Sequence, residues 1–407
     1  MNILVINHYA GSPDLGMEFR PYFMAKEWIA MGHDVTILAS NQSHIRAHQP
    51  EVKKDFEEVI LDGIRYVWVK TRPYEGNGVK RVLNIFDFVR KIYSRSKQIS
   101  KQYQPDIVIA SSTYTSDNYA ARRIAKLAKA KYAYEVHDLW PLSPIELGGM
   151  SRKHPFIMAM QHAEDFAYRH SDIIISMLPK TQDYMKSRGL DLKKWHYVPN
   201  GFSVENWNKR QKLNPKTRKS ITEIKTKFSK ILAYTGTLGL ANALDTLLDA
   251  CHKIDSSVAV VIVGKGPEKE VLERRIEKEN LSNCFILDSV TKNEIPELLS
   301  LFDFLFIGLK YQPLFRFGIS PNKMIDYMMA AKPVIQSIDA GNNMVEDAQC
   351  GISIQPEDSA AIVKAVAHLI QLPETDLLKL GKNGRRFAEQ HHDYRFLAKK
   401  FIDIISE

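Results

Sequence analysis

The chain has 407 residues, more than one typical domain takes, and 44% of them are hydrophobic, the share of a water-soluble globular protein. Its formal net charge of +9 points to an anionic partner: nucleic acid, anionic lipid or a phosphorylated substrate. No zinc-finger, basic-zipper or aromatic RNA-binding signature accompanies that charge, so no nucleic acid partner is expected.

The opening run Met1-Asn2-Ile3-Leu4-Val5-Ile6-Asn7 has no basic leader and reads as a strand, not as a signal peptide. Further strands are predicted at 35–39, 64–69, 106–110, 132–136, 173–176 and 196–198, with amphipathic helical stretches near 19–31, 82–103, 119–130, 156–168 and 181–187. That alternation implies parallel βαβ units and a doubly wound sheet. Val198-Pro199-Asn200-Gly201 then marks a turn and the best domain boundary. The lysine-rich stretch from Lys209 to Lys230 reads as a solvated linker. The second half repeats the scheme, with strands at 231–234, 259–263, 284–287, 304–307, 334–336 and 351–354. The expected division is a domain over 1–200, a second over 201–390, and a C-terminal helix within 391–407. The most apolar late stretch, Leu298 to Leu309, is broken by Asp303 and is too short to span a bilayer. Cys251, Cys284 and Cys350 lie far apart, without metal-ligand spacing, and read as buried thiols of a reducing compartment.

The segment Phe317-Gly318-Ile319-Ser320-Pro321-Asn322-Lys323-Met324-Ile325-Asp326 carries the most chemistry. It reads as a glycine- and serine-bearing loop followed by a helix start, with Pro321 at or before the first turn and Asn322 as cap. Amides at such a start attract phosphate, Lys323 adds a point charge, and Asp326 can accept hydrogen bonds from ribose hydroxyls. The pattern suits a sugar nucleotide, with Ile319, Ser320, Pro321, Asn322, Lys323 and Asp326 as donor-binding residues. The exits Tyr234-Thr235-Gly236-Thr237 and Val263-Gly264-Lys265-Gly266 add Gly236, Thr237, Gly264 and Gly266 to that set.

In the first half, the glycine-bearing turn Asn7–Pro13 with Gly16-Met17-Glu18-Phe19-Arg20 suits close approach of a ligand at Gly16. Glu18 and Arg20 either face an acceptor or form an internal ion pair. Tyr134-Glu135-Val136-His137-Asp138 places His137 at the carboxyl end of a strand, where α/β sheets hold ligands. A structural histidine paired with Asp138 is the plain alternative. The 82–103 stretch has Ile85, Phe88, Val89, Ile92, Ile99 and Tyr103 at helical spacing, crowded by Arg90, Lys91, Arg95, Lys97 and Lys101. It suits either an ordinary domain helix or one lying on an anionic membrane.

These motifs together resemble the family-four retaining glycosyltransferases of the GT-B fold, and within them the N-acetylfucosaminyl-type transferases of bacterial O-antigen and capsule assembly. The resemblance implies two Rossmann-like domains facing each other across a cleft that closes and excludes water, with the last helix crossing back onto the first domain. It implies an enzyme moving a sugar, an N-acetylated deoxyhexosamine in that subfamily, from a UDP-sugar to a polyprenyl-diphosphate-linked saccharide. His137 would then orient a donor-sugar hydroxyl, Lys323 and Arg316 would stabilise the departing diphosphate, and Glu18 and Arg20 would lie at the acceptor. With no Asp-x-Asp motif in the expected place, no metal or other cofactor is predicted. The expected location is cytoplasmic, peripheral on the inner membrane. Many members carry two glutamates around the phosphate loop and an Arg/Lys pair after the strand at Tyr234. Here the glutamate positions hold Gly318 and Asp326, and Leu238–Ala243 has no cation. A UDP-sugar 2-epimerase and a non-catalytic scaffold on the same fold are the rival readings.

Overall fold

A computed structural model describes residues 1–407 apart from Met17, Asn77 and Arg210; Met17 of the glycine-loop motif thus lies outside the described residues. The chain forms two compact units, one of residues 1–200 with 394–407, the other of residues 201–393.

The first unit holds β1 (Asn2–Ile6), β2 (Asp34–Ser40), β3 (Glu57–Leu61), β4 (Ile64–Val69), β5 (Ile107–Ala110), β6 (Lys131–Val136), β7 (Ile173–Ser176) and β8 (Trp195–Tyr197). They form one sheet in the order β3-β4-β2-β1-β5-β6-β7-β8. Every pair is parallel except β3–β4. The central strands are buried along their length and read as continuous apolar runs, as parallel sheets covered on both faces require. The strand β3 was not expected from the sequence. It pairs through a two-residue turn at Asp62 (φ 51°) and Gly63 (φ 83°), the Asp-Gly pattern that favours a tight hairpin.

Helix α1 (Arg20–Ala30) covers the sheet together with the C-terminal helix Tyr394–Ser406, which belongs to this unit. Trp28 donates from Nε1 to the Ala398 carbonyl at 3.2 Å and meets Phe401 edge-on, while Phe23 stacks on Tyr394. The basic stretch 82–103 is two helices, α2 (Val79–Ser94) and α3 (Ser96–Tyr103). They part at Arg95, where the Ser96 hydroxyl donates to the Ile92 and Tyr93 carbonyls. The anticipated stripe at Ile85, Phe88, Ile92 and Ile99 is core. On α2 a different set, Val79, Val82, Leu83, Phe86 and Tyr93, is exposed. Helix α4 (Asn118–Ala128) packs on both.

The second unit holds β9 (Lys230–Thr237), β10 (Val258–Lys265), β11 (Cys284–Leu287), β12 (Phe304–Gly308), β13 (Val334–Ser337) and β14 (Gly351–Ile354), all parallel in the order β11-β10-β9-β12-β13-β14. The stretch expected to be a linker carries the helix Pro215–Lys227, started by Asn214, whose Oδ1 accepts from the Thr217 amide. Ile221 and Ile224 enter the core of this unit. The lysines that suggested a linker occupy the outer side of an amphipathic helix. The three cysteines are free and buried.

Candidate functional site

In the second unit the chemistry gathers at the carboxyl ends of β9 and β10 and at the start of the helix Asn322–Met329. Tyr327 ties that helix to β9: its hydroxyl accepts from the Thr235 amide at 2.8 Å. One turn earlier, Lys323 reaches over the end of β9. Its Nζ donates to the Tyr234 hydroxyl at 2.6 Å and to Asn242 Oδ1 at 3.0 Å, and lies 4.2 Å from the centre of the Tyr234 ring. The Thr237 carbonyl fixes the polarity of this cradle. It takes the Tyr234 hydroxyl hydrogen at 2.7 Å and an Asn242 amide hydrogen at 3.1 Å, so both residues turn oxygen lone pairs toward the ammonium. Both acceptors are neutral, and burial lowers the Lys323 ammonium to about 8.

Gly236 (φ 138°) must be small here, because a Cβ on it would stand 3.0 Å from Lys323 Nζ. Gly236 and Thr237 are exposed at the strand end, beside the cradle. The other two glycines predicted for the donor have packing roles. A Cβ at Gly264 would fall 1.9 Å from the Gly236 carbonyl oxygen, and one at Gly266 would fall 2.3 Å from that of Leu238. They let neighbouring strand ends approach, which accounts for both without a ligand.

The phosphate-loop segment departs from expectation at its cap, and Ile319, Arg316 and Asp326 have partners that the sequence did not show. Pro321 occupies the cap position and Asn322 is the first helical residue; no side chain caps this helix start. The Ile319 amide is occupied, because Asn342 accepts from it at 2.8 Å and returns a hydrogen bond to the Ile319 carbonyl at 3.0 Å. Ile319 therefore pins the loop and packs in the core. Arg316 is exposed, donates to the Pro313 carbonyl at 2.6 Å and lies over the Phe317 ring at 4.2 Å, so service at a diphosphate requires it to leave both. Asp326 is paired with Lys292 at 2.6 and 2.8 Å, a partner the sequence did not suggest. Hydroxyls binding Asp326 must share it with that ammonium.

In the first unit a buried network surrounds His137, just past β6. Arg20, on the first turn of α1, is fully buried, which removes it from any acceptor surface and settles it as an internal ion pair. Its Nε and Nη2 donate to Glu135 Oε1 at 3.0 and 2.9 Å, and Nη1 and Nη2 donate to the Pro199 and Val198 carbonyls. Glu135 Oε2 accepts from the Ser111 hydroxyl at 2.6 Å and lies 3.2 Å from His137 Nε2. With its hydrogen on Glu135, the Ser111 oxygen is free to accept from His137 Nε2 at 3.0 Å. The network thus places a proton on Nε2 and turns Nδ1 away from it. Asn7 completes the set by donating to the Ser111 carbonyl at 2.6 Å.

Burial opposes ionisation of Glu135, but Arg20, His137 and Ser111 outweigh it and hold its carboxyl well below the usual range. Burial likewise opposes charge on His137, yet Glu135 and Glu18 raise it above its ordinary value. Glu18 therefore lies in electrostatic reach of His137. Gly16 (φ 89°) is held by its loop, where a Cβ would stand 2.8 Å from the Ala47 amide nitrogen. The partners missed in the sequence, Ser111, Glu135 and Asn7, lie at or beyond the carboxyl ends of neighbouring strands, and that position was the available signal.

Residues 16–201 match the family described as "Glycosyl transferase 4-like domain", and residues 229–372 match "Glycosyl transferases group 1". Together the two matches take in most of the chain and mark it as a glycosyltransferase with these two domains. The two parallel-sheet α/β units are those of the GT-B fold. Among solved structures, HepE from Anabaena in complex with UDP is similar over 100% of both chains, at 17% identity and a TM-score of 0.70. Sucrose-phosphate synthase from Thermosynechococcus elongatus is similar over 99% of this chain and 98% of its own, at 15% identity and 0.73. WaaG, a glycosyltransferase involved in lipopolysaccharide biosynthesis, is similar over 99% of each chain, at 15% identity and 0.65. No curated protein sequence matches significantly.

Glu135→Gln tests the first-unit network. It leaves Arg20 buried without a counter-charge and is expected to cost about 3–5 kcal/mol of stability in denaturant unfolding. In folded material, NMR titration should show the His137 pKa falling from its raised position. An unchanged His137 titration would remove Glu135 as the cause.

Proposed function

We propose that the protein is a retaining glycosyltransferase that moves a sugar from UDP to a lipid-linked saccharide. The observation that carries this reading is the Lys323 cradle: an ammonium held by neutral oxygens beside an uncapped helix start. Such a group gains most when an anion arrives, and a nucleoside diphosphate leaving group supplies one. The UDP bound to similarly folded HepE supports the choice of nucleotide. Asp326, shared with Lys292, would take the ribose.

In the reaction the bond from the anomeric carbon to the diphosphate oxygen breaks. The acceptor hydroxyl forms its bond on the same face, and its proton passes to the departing phosphate oxygen. Lys323 and the helix start stabilise the charge that develops on the diphosphate, and the His137 imidazole hydrogen-bonds a sugar hydroxyl. Nothing in these steps asks for a metal ion, so the proposed enzyme is metal-independent. The resemblance to the N-acetylfucosaminyl-type transferases supports an N-acetylated deoxyhexosamine as the sugar and surface-polysaccharide assembly as the setting.

A lipid-linked acceptor would bring the protein to a membrane surface. No helix among the described residues is long and apolar enough to cross one. The exposed face of α2 suits an anionic bilayer instead: Val79 is 75% and Phe86 59% exposed, with Val82 and Leu83 beside them. Lys80, Arg90 and Lys97 are exposed along the same pair of helices, and Arg123 lies over the Tyr93 ring. Apolar side chains flanked by cations match a headgroup layer with acyl chains beneath it.

Two experiments test this reading. UDP should raise the melting temperature more than GDP, CDP or dTDP, and the rise should survive chelator. Lys323→Ala should lower the transfer rate by about 10²-fold or more. Transfer at the wild-type rate in that variant would exclude the assigned role. For the membrane face, co-sedimentation with vesicles containing phosphatidylglycerol should fall roughly tenfold on Phe86→Asp, from lost apolar burial. Equal partitioning of wild type and variant would discard that surface.

A further inference from the structure

Arg81 lies in the first turn of α2, on the side of the first unit formed by loops that leave the carboxyl ends of the parallel strands. Its guanidinium carbon is 5.6 Å from the centre of the Tyr9 ring and 5.8 Å from that of Trp140. Nε and Nη2 donate to the Tyr9 hydroxyl at 3.3 and 3.2 Å. His44, beyond β2, sets its ring edge-on to Tyr9 at 5.5 Å. Its Nδ1 and its amide both engage the Tyr74 hydroxyl, at 2.8 and 3.2 Å. Four loops, from β1, β2, β4 and β6, thus bring aromatic rings and a histidine around one arginine. His44 is exposed, and Arg81, Tyr74 and Trp140 are half-buried, so the cluster reaches the surface.

Two cations, Arg81 and Arg46, act electrostatically on Tyr74. Arg46, two residues after His44, is buried, and among the described residues its Nε and Nη2 donate to the carbonyls of Ala10, His8 and Ser40. Its Nη1 is buried with no hydrogen-bond partner. Burial, and then the field of Arg81, lower His44 to about 4, so the imidazole is neutral beside Arg81. An arginine between aromatic rings, backed by a second arginine bonded to carbonyls, is chemistry suited to phosphate: the planar fork meets two phosphate oxygens at once. The rings beside it offer faces to a sugar.

We infer that Arg81, with His44, Tyr74 and Trp140 around it, is the subsite for a phosphate group of the sugar acceptor. The phosphate can belong to a lipid-linked diphosphate or to a soluble sugar phosphate. The inference rests on the glycosyl-transfer reading and narrows it to a phosphate-bearing acceptor. The same turn of α2 that carries Arg81 also carries Val79 and Val82 on its exposed side, with Leu83 following. A lipid leaving the phosphate would meet that apolar face directly.

The test uses the full chain saturated with UDP, so that the Lys323 cradle is filled before the probe is added. Inorganic pyrophosphate and farnesyl diphosphate are then titrated calorimetrically into wild type, Arg81→Gln and Arg81→Lys. Wild type should bind at least one probe. Arg81→Gln should weaken that binding tenfold or more, with Arg81→Lys between them. UDP affinity and melting temperature should be the same in all three, which separates failure of the acceptor subsite from failure of the donor site or of folding. Farnesyl diphosphate binding at least tenfold tighter than pyrophosphate supports the subsite with a lipid-linked acceptor; equal binding supports it with a soluble sugar phosphate. No binding of either probe to wild type, or binding undiminished in Arg81→Gln, overturns the inference.

Discussion

A buried cation must find compensation, and the two units do this in opposite ways. In the second unit Lys323 meets, among the described residues, only neutral oxygens, from Tyr234 and Asn242, and burial depresses its ammonium to about 8. In the first unit Arg20 meets a full counter-charge at Glu135 and two carbonyls besides. The Arg20 arrangement is complete in itself. The Lys323 cradle holds no anion among the described residues, which is the ground for proposing that it receives one. After the strand at Tyr234 the segment Leu238–Ala243 carries no cation, and its Asn242 accepts from the lysine instead of sharing the charge with it.

The first unit shows how the two solutions coexist on one sheet. Around His137 the groups pair with one another: Ser111 gives its hydrogen to Glu135 and accepts from the imidazole Nε2, and Glu135 is held ionised by Arg20. That closure orients the ring and decides which nitrogen carries the proton. Toward α2 the accounting does not close, since Arg46 has a buried nitrogen without a partner and His44 is kept neutral beside Arg81. Satisfied polar networks stiffen a site, whereas unsatisfied charge invites a ligand.

The sequence made the framework legible because apolar runs, helical periodicity and the Pro-Asn-Gly turn near residue 200 are local signals. The hairpin strand β3 escaped because its alternating residues lie at a sheet edge, although Asp62-Gly63 announced the turn. The helix Pro215–Lys227 escaped because its cations masked the spacing of Thr217, Ile221 and Ile224. Within the site, the residue types were readable and their partners were not. Lys323 was visible as a cation near a helix start, but Tyr234 and Asn242 become its acceptors only when the end of β9 meets that helix. Arg20 stayed open between an acceptor contact and an internal ion pair because Glu135 is remote in sequence and adjacent only in the sheet. Ile319 passed for a phosphate ligand because nothing local shows Asn342 taking its amide.

The central claim is that the Lys323 ammonium, depressed by burial among neutral acceptors, is the group that receives the diphosphate. Proton uptake on UDP binding measures this most directly, by calorimetry at pH 8 in two buffers of different ionisation enthalpy. An ammonium near its midpoint when free, and fully charged against a diphosphate, should take up about half a proton. Lys323→Arg, charged throughout, should abolish that uptake while UDP still binds. UDP binding by the wild type with no proton uptake at pH 8, or with uptake unchanged in Lys323→Arg, would contradict the account.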